Sequence, residues 1–140
     1  MKYTIGIDIG TSGTKTVLFD SLGKKHSSCT VEYPLYQPQN GWAEQDPADW
    51  KNAVFASVAD VVANSRVDPT DIVGIGLSGQ MHGLVMLDAA GNVLRRSIIW
   101  CDQRTAAECA DIEELVGKKR LIEISANPAL TGFTASKILW

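Results

Sequence analysis

The stretch IGIDIGTSGTKTVLFD, residues 5–20, decides how the chain begins. Two apolar, β-branched runs, residues 3–9 and 14–20, flank the turn signal GTSG, and DSLGKK closes the second run. That pattern predicts a hairpin continued by a third strand over residues 27–33, an antiparallel meander. Asp8 lies inside the first run. A carboxylate in apolar surroundings is costly unless something pairs with it, so a partner for Asp8 is expected.

The 140 residues are 45% hydrophobic and 21% charged, the composition of one globular domain or a piece of a larger one. A net charge of −3 argues against a nucleic-acid partner, because neutralising phosphates takes clustered Lys and Arg. Lys24-Lys25 and Lys118-Lys119-Arg120 are short and read as solvated turns. The three cysteines, Cys29, Cys101 and Cys109, form no CxxC pair and suit a reducing compartment. Neither a signal peptide nor an apolar stretch of the ~20 residues a membrane span requires is present. A cytoplasmic protein with no membrane partner is the expectation.

Further along, NGWAEQDPADW carries a helix start, with Asp46 as N-cap and Pro47 at the first helical position. The helix should cover about 47–63 with Trp50, Val54, Val58, Val61 and Val62 on one apolar face. DIVGIGLSG reads as an apolar strand, GLVMLDAAGNVL as strand, turn, strand, and SIIW as a strand leading to CDQRT. Residues 104–117 and 118–125 look helical, NPALTG is a loop, and Thr134 is placed to cap a last helix. Antiparallel strands, a helix, another strand and then helices make an α/β layer with a mixed sheet.

Three places could carry chemistry. A tight turn of Gly, Thr and Ser after Asp8 can aim amides and hydroxyls at a phosphate, with Lys15 adding positive charge and Asp8 facing a phosphate-bound Mg²⁺. An ordinary β-turn hydrogen-bonded to Asp8 is the bland alternative. GIGLSG, residues 74–79, matches GxGxxG literally but is followed by a strand and a turn where a dinucleotide site needs a helix. Finally, SGQMHG (78–83) and WCDQRT (100–105) both lie where an apolar strand meets a polar loop. Gln80, His82, Asp102, Gln103 and Arg104 suit a polyhydroxylated ligand, and Trp100 offers an apolar face to a sugar ring. On position alone His82 reads rather as a hydrogen-bonded core histidine, and His26, in a Lys-rich turn, reads as merely exposed.

IGIDIGTSGTK resembles the first phosphate motif of the actin-like ATPase superfamily, which has a ribonuclease H-like fold. GFTASKILW, residues 132–140, fits a signature of its FGGY carbohydrate kinases, with Gly132, Thr134, Lys137, Ile138 and Trp140 at the specified positions. Within that family, WAEQDPADW, GQMHG and WCDQRT resemble the kinases that act on D-xylulose. Glycerol kinases carry Arg-Glu where Met81 and His82 stand. The resemblance implies that Asp8 is the Mg²⁺-associated aspartate and that Gly10, Thr11, Ser12, Gly13 and Lys15 meet the ATP phosphates. It places Met81 and His82 at the sugar, with Gln80, Trp100, Asp102 and Arg104 as neighbours of that site. The Mg²⁺ of MgATP then becomes the expected counter-charge for Asp8.

The family's general base is another aspartate, expected beyond residue 140, as are the second phosphate motif and the adenosine pocket. Residues 1–140 therefore read as the opening, sugar-binding part of the first domain of a two-domain kinase. Such a piece is expected to be inactive alone, and the full-length protein is expected to be a homodimer. Other readings remain open: a kinase for another sugar such as ribulose or gluconate, or a non-catalytic actin-like module that binds sugar or nucleotide.

Overall fold

A computed structural model describes all 140 residues. The chain forms two compact units, one of residues 1–34 and 48–80, the other of residues 35–47 and 81–140.

The first unit is built on the hairpin. Strands β1 (Tyr3–Ile9) and β2 (Gly13–Asp20) pair antiparallel with Asp8 opposite Lys15, and β3 (Lys25–Glu32) pairs with β2 in the same sense. After α1 (Pro47–Ser65) and a 3₁₀ turn at Pro69–Asp71, β5 (Ile72–Gly79) lies parallel to β1. The sheet is mixed, in the order β3-β2-β1-β5. A parallel neighbour needs a long crossover, and α1 supplies it.

Strand alternation explains the core. Ile5, Ile7 and Leu18 are buried on one face with Val61 of α1, and Val54, Val58 and Val62 pack around them. Inside this apolar layer, Thr16 and Ser57 join their hydroxyls at 2.6 Å, which satisfies two polar groups with one bond. Asp8 falls on the opposite face and is exposed. The expectation of a buried charge is thus corrected: period two puts Ile5 and Ile7 inward and Asp8 in water, so burial alone demands no partner for it. His26 is surface-lying but engaged, 2.9 Å from Asp20 and edge-on to Tyr3. That bond, opposed by burial and aided by the Lys24 and Leu22 amides, holds the Asp20 carboxyl below its ordinary range.

The second unit has little sheet. β4 (Glu44–Gln45) pairs antiparallel with β6 (Ser97–Ile98), and single bridges join Tyr36 to Glu44, Leu84 to Ile98 and Leu87 to Val93. The strands expected over 84–94 are absent as elements. The turn between them is real, with Asp88 accepting from the Ala90 and Asn92 amides and Gly91 at φ 84°. Helices α2 (Ala106–Val116) and α3 (Lys118–Ser125) are separated by Gly117 at φ 82°, a conformation glycine adopts without strain. α4 (Thr134–Leu139) follows, with Phe133 rather than Thr134 in the cap position. No helix is long and apolar enough to cross a membrane.

Leu18 is fully buried while Leu22, four residues on, is 84% exposed. Leu18→Ala should lower unfolding free energy by about 2–5 kcal/mol in urea titrations, whereas Leu22→Ala should change it by less than ~0.5 kcal/mol.

Candidate functional site

In the first unit the hairpin turn is held from three sides. The Gly10 amide donates to Gly13 O at 3.0 Å, the Tyr33 hydroxyl donates to Gly10 O, and Thr11 Oγ1 donates to Gln80 Oε1 at 3.4 Å. Gln80 is itself fixed by its amide, which donates to Ile9 O at 2.8 Å. Burial, opposed by a Thr14 hydrogen bond and aided by the charge of Asp8, pushes the Tyr33 phenol up. Asp8 and Lys15 line a groove of about 370 Å³ on the open face of the sheet, floored by Gly6, Gly76 and Ser78. Val17, Phe19 and Leu77 make the rest of its lining largely apolar.

Gly13 has a steric reason to be glycine. A Cβ there would lie 2.8 Å from Val31 O on β3, so strand pairing alone excludes a side chain. Gly10 is less constrained, its Cβ position lying 3.3 Å from Gly13 O. Asp8 offers one exposed hard carboxylate, a donor set that fits a Mg²⁺ whose remaining ligands are phosphate oxygens and water.

In the second unit, Met81 and His82 form a tight three-residue turn. The Gly83 amide donates to Met81 O at 2.9 Å, and His82 at its apex has φ 62°. A non-glycine residue at positive φ is uncommon and strained. Met81 is 52% exposed and Trp100 39%, so both can meet a ligand. His82 rests edge-on against Phe133, ring centres 4.7 Å apart, and faces a pocket of about 480 Å³ formed with α2, α3 and the loop before α4.

Asp102 and Arg104 are turned inward. Their side chains are 0% and 1% exposed. Arg104 donates through Nε and Nη2 to Asp102, its Nη1 lies 2.8 Å from Glu44 Oε1, and its face covers Trp42 at 3.6 Å. Asp102 also accepts from the Ala43 amide at 2.6 Å. The pair, expected as neighbours of the sugar site, is buried, and two ions taken from water must be matched to each other, as here they are. Burial pushes the Asp102 carboxyl up, but the Arg104 bonds and the Ala43 amide outweigh it and hold the group below its ordinary range. Burial likewise raises the half-buried Cys101 thiol, which favours the unreactive form.

Tyr33, Glu44 and Phe133 also belong to these sites, though no motif marks their roles. Tyr33 ends the strand run, Glu44 stands in WAEQDPADW just before the helix start, and Phe133 lies in GFTASKILW.

Residues 3–140 match the FGGY family of carbohydrate kinases, N-terminal domain. The chain is 46% identical over all 140 residues to a xylulose kinase of Bacillus subtilis. Among solved structures, the ligand-bound xylulose kinase of Lactobacillus acidophilus superposes with a TM-score of 0.91 at 33% identity over the whole chain. A gluconate kinase from the same organism gives 0.90 at 33% identity over 99% of it. The mixed-sheet α/β architecture is thus that of an actin-like ATPase. The chain belongs to the FGGY family of carbohydrate kinases. It spans 28% of the length of each of these three relatives.

The depressed Asp102 value has a sign. A carboxyl whose folded pKa is lowered adds stability that is present above its unfolded value, near ~3.9, and is lost as pH falls through the folded value. Asp102→Asn should flatten that acid loss in circular-dichroism titrations. At neutral pH it should destabilise by about 3–5 kcal/mol, because Arg104 is left buried with half its partners.

Proposed function

We propose that this chain is the sugar-binding, N-terminal part of an ATP-dependent carbohydrate kinase that converts D-xylulose to D-xylulose 5-phosphate. The observation that supports this most is the strained turn presenting Met81 and His82, the pair that differs from the Arg-Glu of glycerol kinases, together with 46% identity to a xylulose kinase.

In this reading Gly10, Thr11, Ser12 and Lys15 receive the ATP phosphates at the hairpin turn, Gly13 keeps the turn close to β3, and Asp8 holds Mg²⁺. The metal supplies neutralisation of the phosphate charge that phosphoryl transfer spreads over its oxygens. Lys15, opposite Asp8 on the neighbouring strand, adds a second positive charge at the same face. Met81, His82 and Trp100 contact the ketose directly. Gln80 braces the turn through Thr11, while Asp102 and Arg104 keep the Trp100 loop in place from inside. Asp102 is a poor candidate for the general base, because it is ion-paired and holds its proton weakly. The base, the adenosine pocket and the remainder of the first domain then belong to a longer polypeptide, working in the cytoplasm as a homodimer.

The test is a coupled assay of the full-length protein with D-xylulose, D-ribulose, gluconate and glycerol. ATP-dependent turnover should be highest with D-xylulose. Asp8→Asn should lower kcat by at least about 100-fold, the scale for removing one group that stabilises transition-state charge. A preference for gluconate would keep the kinase class and overturn the substrate; no turnover of any of the four would overturn both. Residues 1–140 alone should show none.

A further inference from the structure

Residues of GFTASKILW converge on the Met81–His82 turn. Lys137 is buried, and its Nζ donates to His82 O at 2.9 Å and to Gly132 O at 2.7 Å. Thr134 Oγ1 donates to the same His82 carbonyl at 3.3 Å. Phe133 carries the His82 ring. At Gly132 a Cβ would lie 2.8 Å from Trp100 O, so the backbone there runs directly against the Trp100 loop. Ser136 adds a bond of 2.9 Å to Thr105, at the end of that loop.

A buried ammonium is tolerated only where it is matched, and Lys137 has spent donors on two main-chain carbonyls rather than on a carboxylate. One of those bonds, together with that of Thr134, falls on the carbonyl of His82, whose backbone is held at positive φ. They add to the Gly83–Met81 bond and the Phe133 contact in holding His82 at its positive φ, and removing them loosens the turn.

We propose that Gly132–Lys137 is the positioning element of the sugar loop, with Lys137 and Thr134 clamping the His82 carbonyl so that Met81 and His82 keep the geometry a ketose requires. This rests on the reading of Met81 and His82 as sugar contacts. Lys137 is too buried to touch a substrate, so its action is through His82.

The test uses the full-length protein with Thr134→Val, which deletes one hydrogen bond at constant shape, Thr134→Ser, which restores it, and Lys137→Met. KM for D-xylulose should rise about 3–10-fold in Thr134→Val and about 10–100-fold in Lys137→Met, with Thr134→Ser near wild type. KM for ATP should not move, which separates positioning from general loss of structure. Hydrogen exchange of peptides covering residues 80–84 should quicken in the Val and Met variants while peptides of β1–β3 stay protected. If Lys137→Met fails to fold, Thr134→Val decides. Unchanged exchange in the loop overturns the clamp, and faster exchange with an unchanged ketose KM overturns its role at the sugar. A wild-type protein inert toward D-xylulose sinks the substrate reading instead, and the exchange data then judge the clamp alone.

Discussion

Arg104 carries a full charge into the interior of the second unit, and an ion there is tolerable only when its donors are matched. Asp102 takes the edge of the guanidinium, Glu44 takes a further nitrogen, and Trp42 and Trp140 lie under its face. These partners come from the segment before α1, the loop after β6 and the end of α4, so one side chain ties together three stretches far apart in sequence. Glu44 is shared again with Arg95, which lies over Trp140. In a unit whose only ladder has two short strands, this polar cluster does the work that a larger sheet would do elsewhere.

The first unit was legible because its signals are local. Apolar alternation at Ile5, Ile7 and Leu18, the GTSG turn and the Asp-Pro helix start each act within a few residues. The helix stripe through Val54, Val58, Val61 and Val62 is where the periodicity placed it. What local reading missed was the parity of Asp8, which the same alternation assigns to solvent. Over residues 84–94 the turn chemistry of Asp88 and Gly91 was legible, but strands also need a surface to cover. Val85, Met86 and Leu94 remain exposed, and the isolated bridges Leu87–Val93 and Leu84–Ile98 are all that form.

At the candidate site, motifs located the loops but not the direction of their side chains. Asp102 and Arg104 looked like ligand groups because polar residues at a strand end usually face solvent. Their partners Ala43 and Glu44 lie in a different segment, and no spacing rule reaches that far. From residue type alone His82 reads either as a ligand group or as a core histidine. Its left-handed backbone, and the lysine that anchors it, depend on a tertiary meeting of residues 82 and 137.

The two edges of the four-stranded sheet are opposites in colloidal terms. β3 is lined with Lys25, His26, serines and Glu32, charges and hydroxyls that discourage a neighbouring chain from adding a strand. β5 reads IVGIGLSG, carries no charge at all and leaves Val73, Ile75 and Leu77 exposed beside unpaired main-chain groups. An edge of that kind is a template for intermolecular β-pairing. Within residues 1–140 the two borders of one sheet thus differ in kind, one charged and hydroxylated, the other eight residues without a charge.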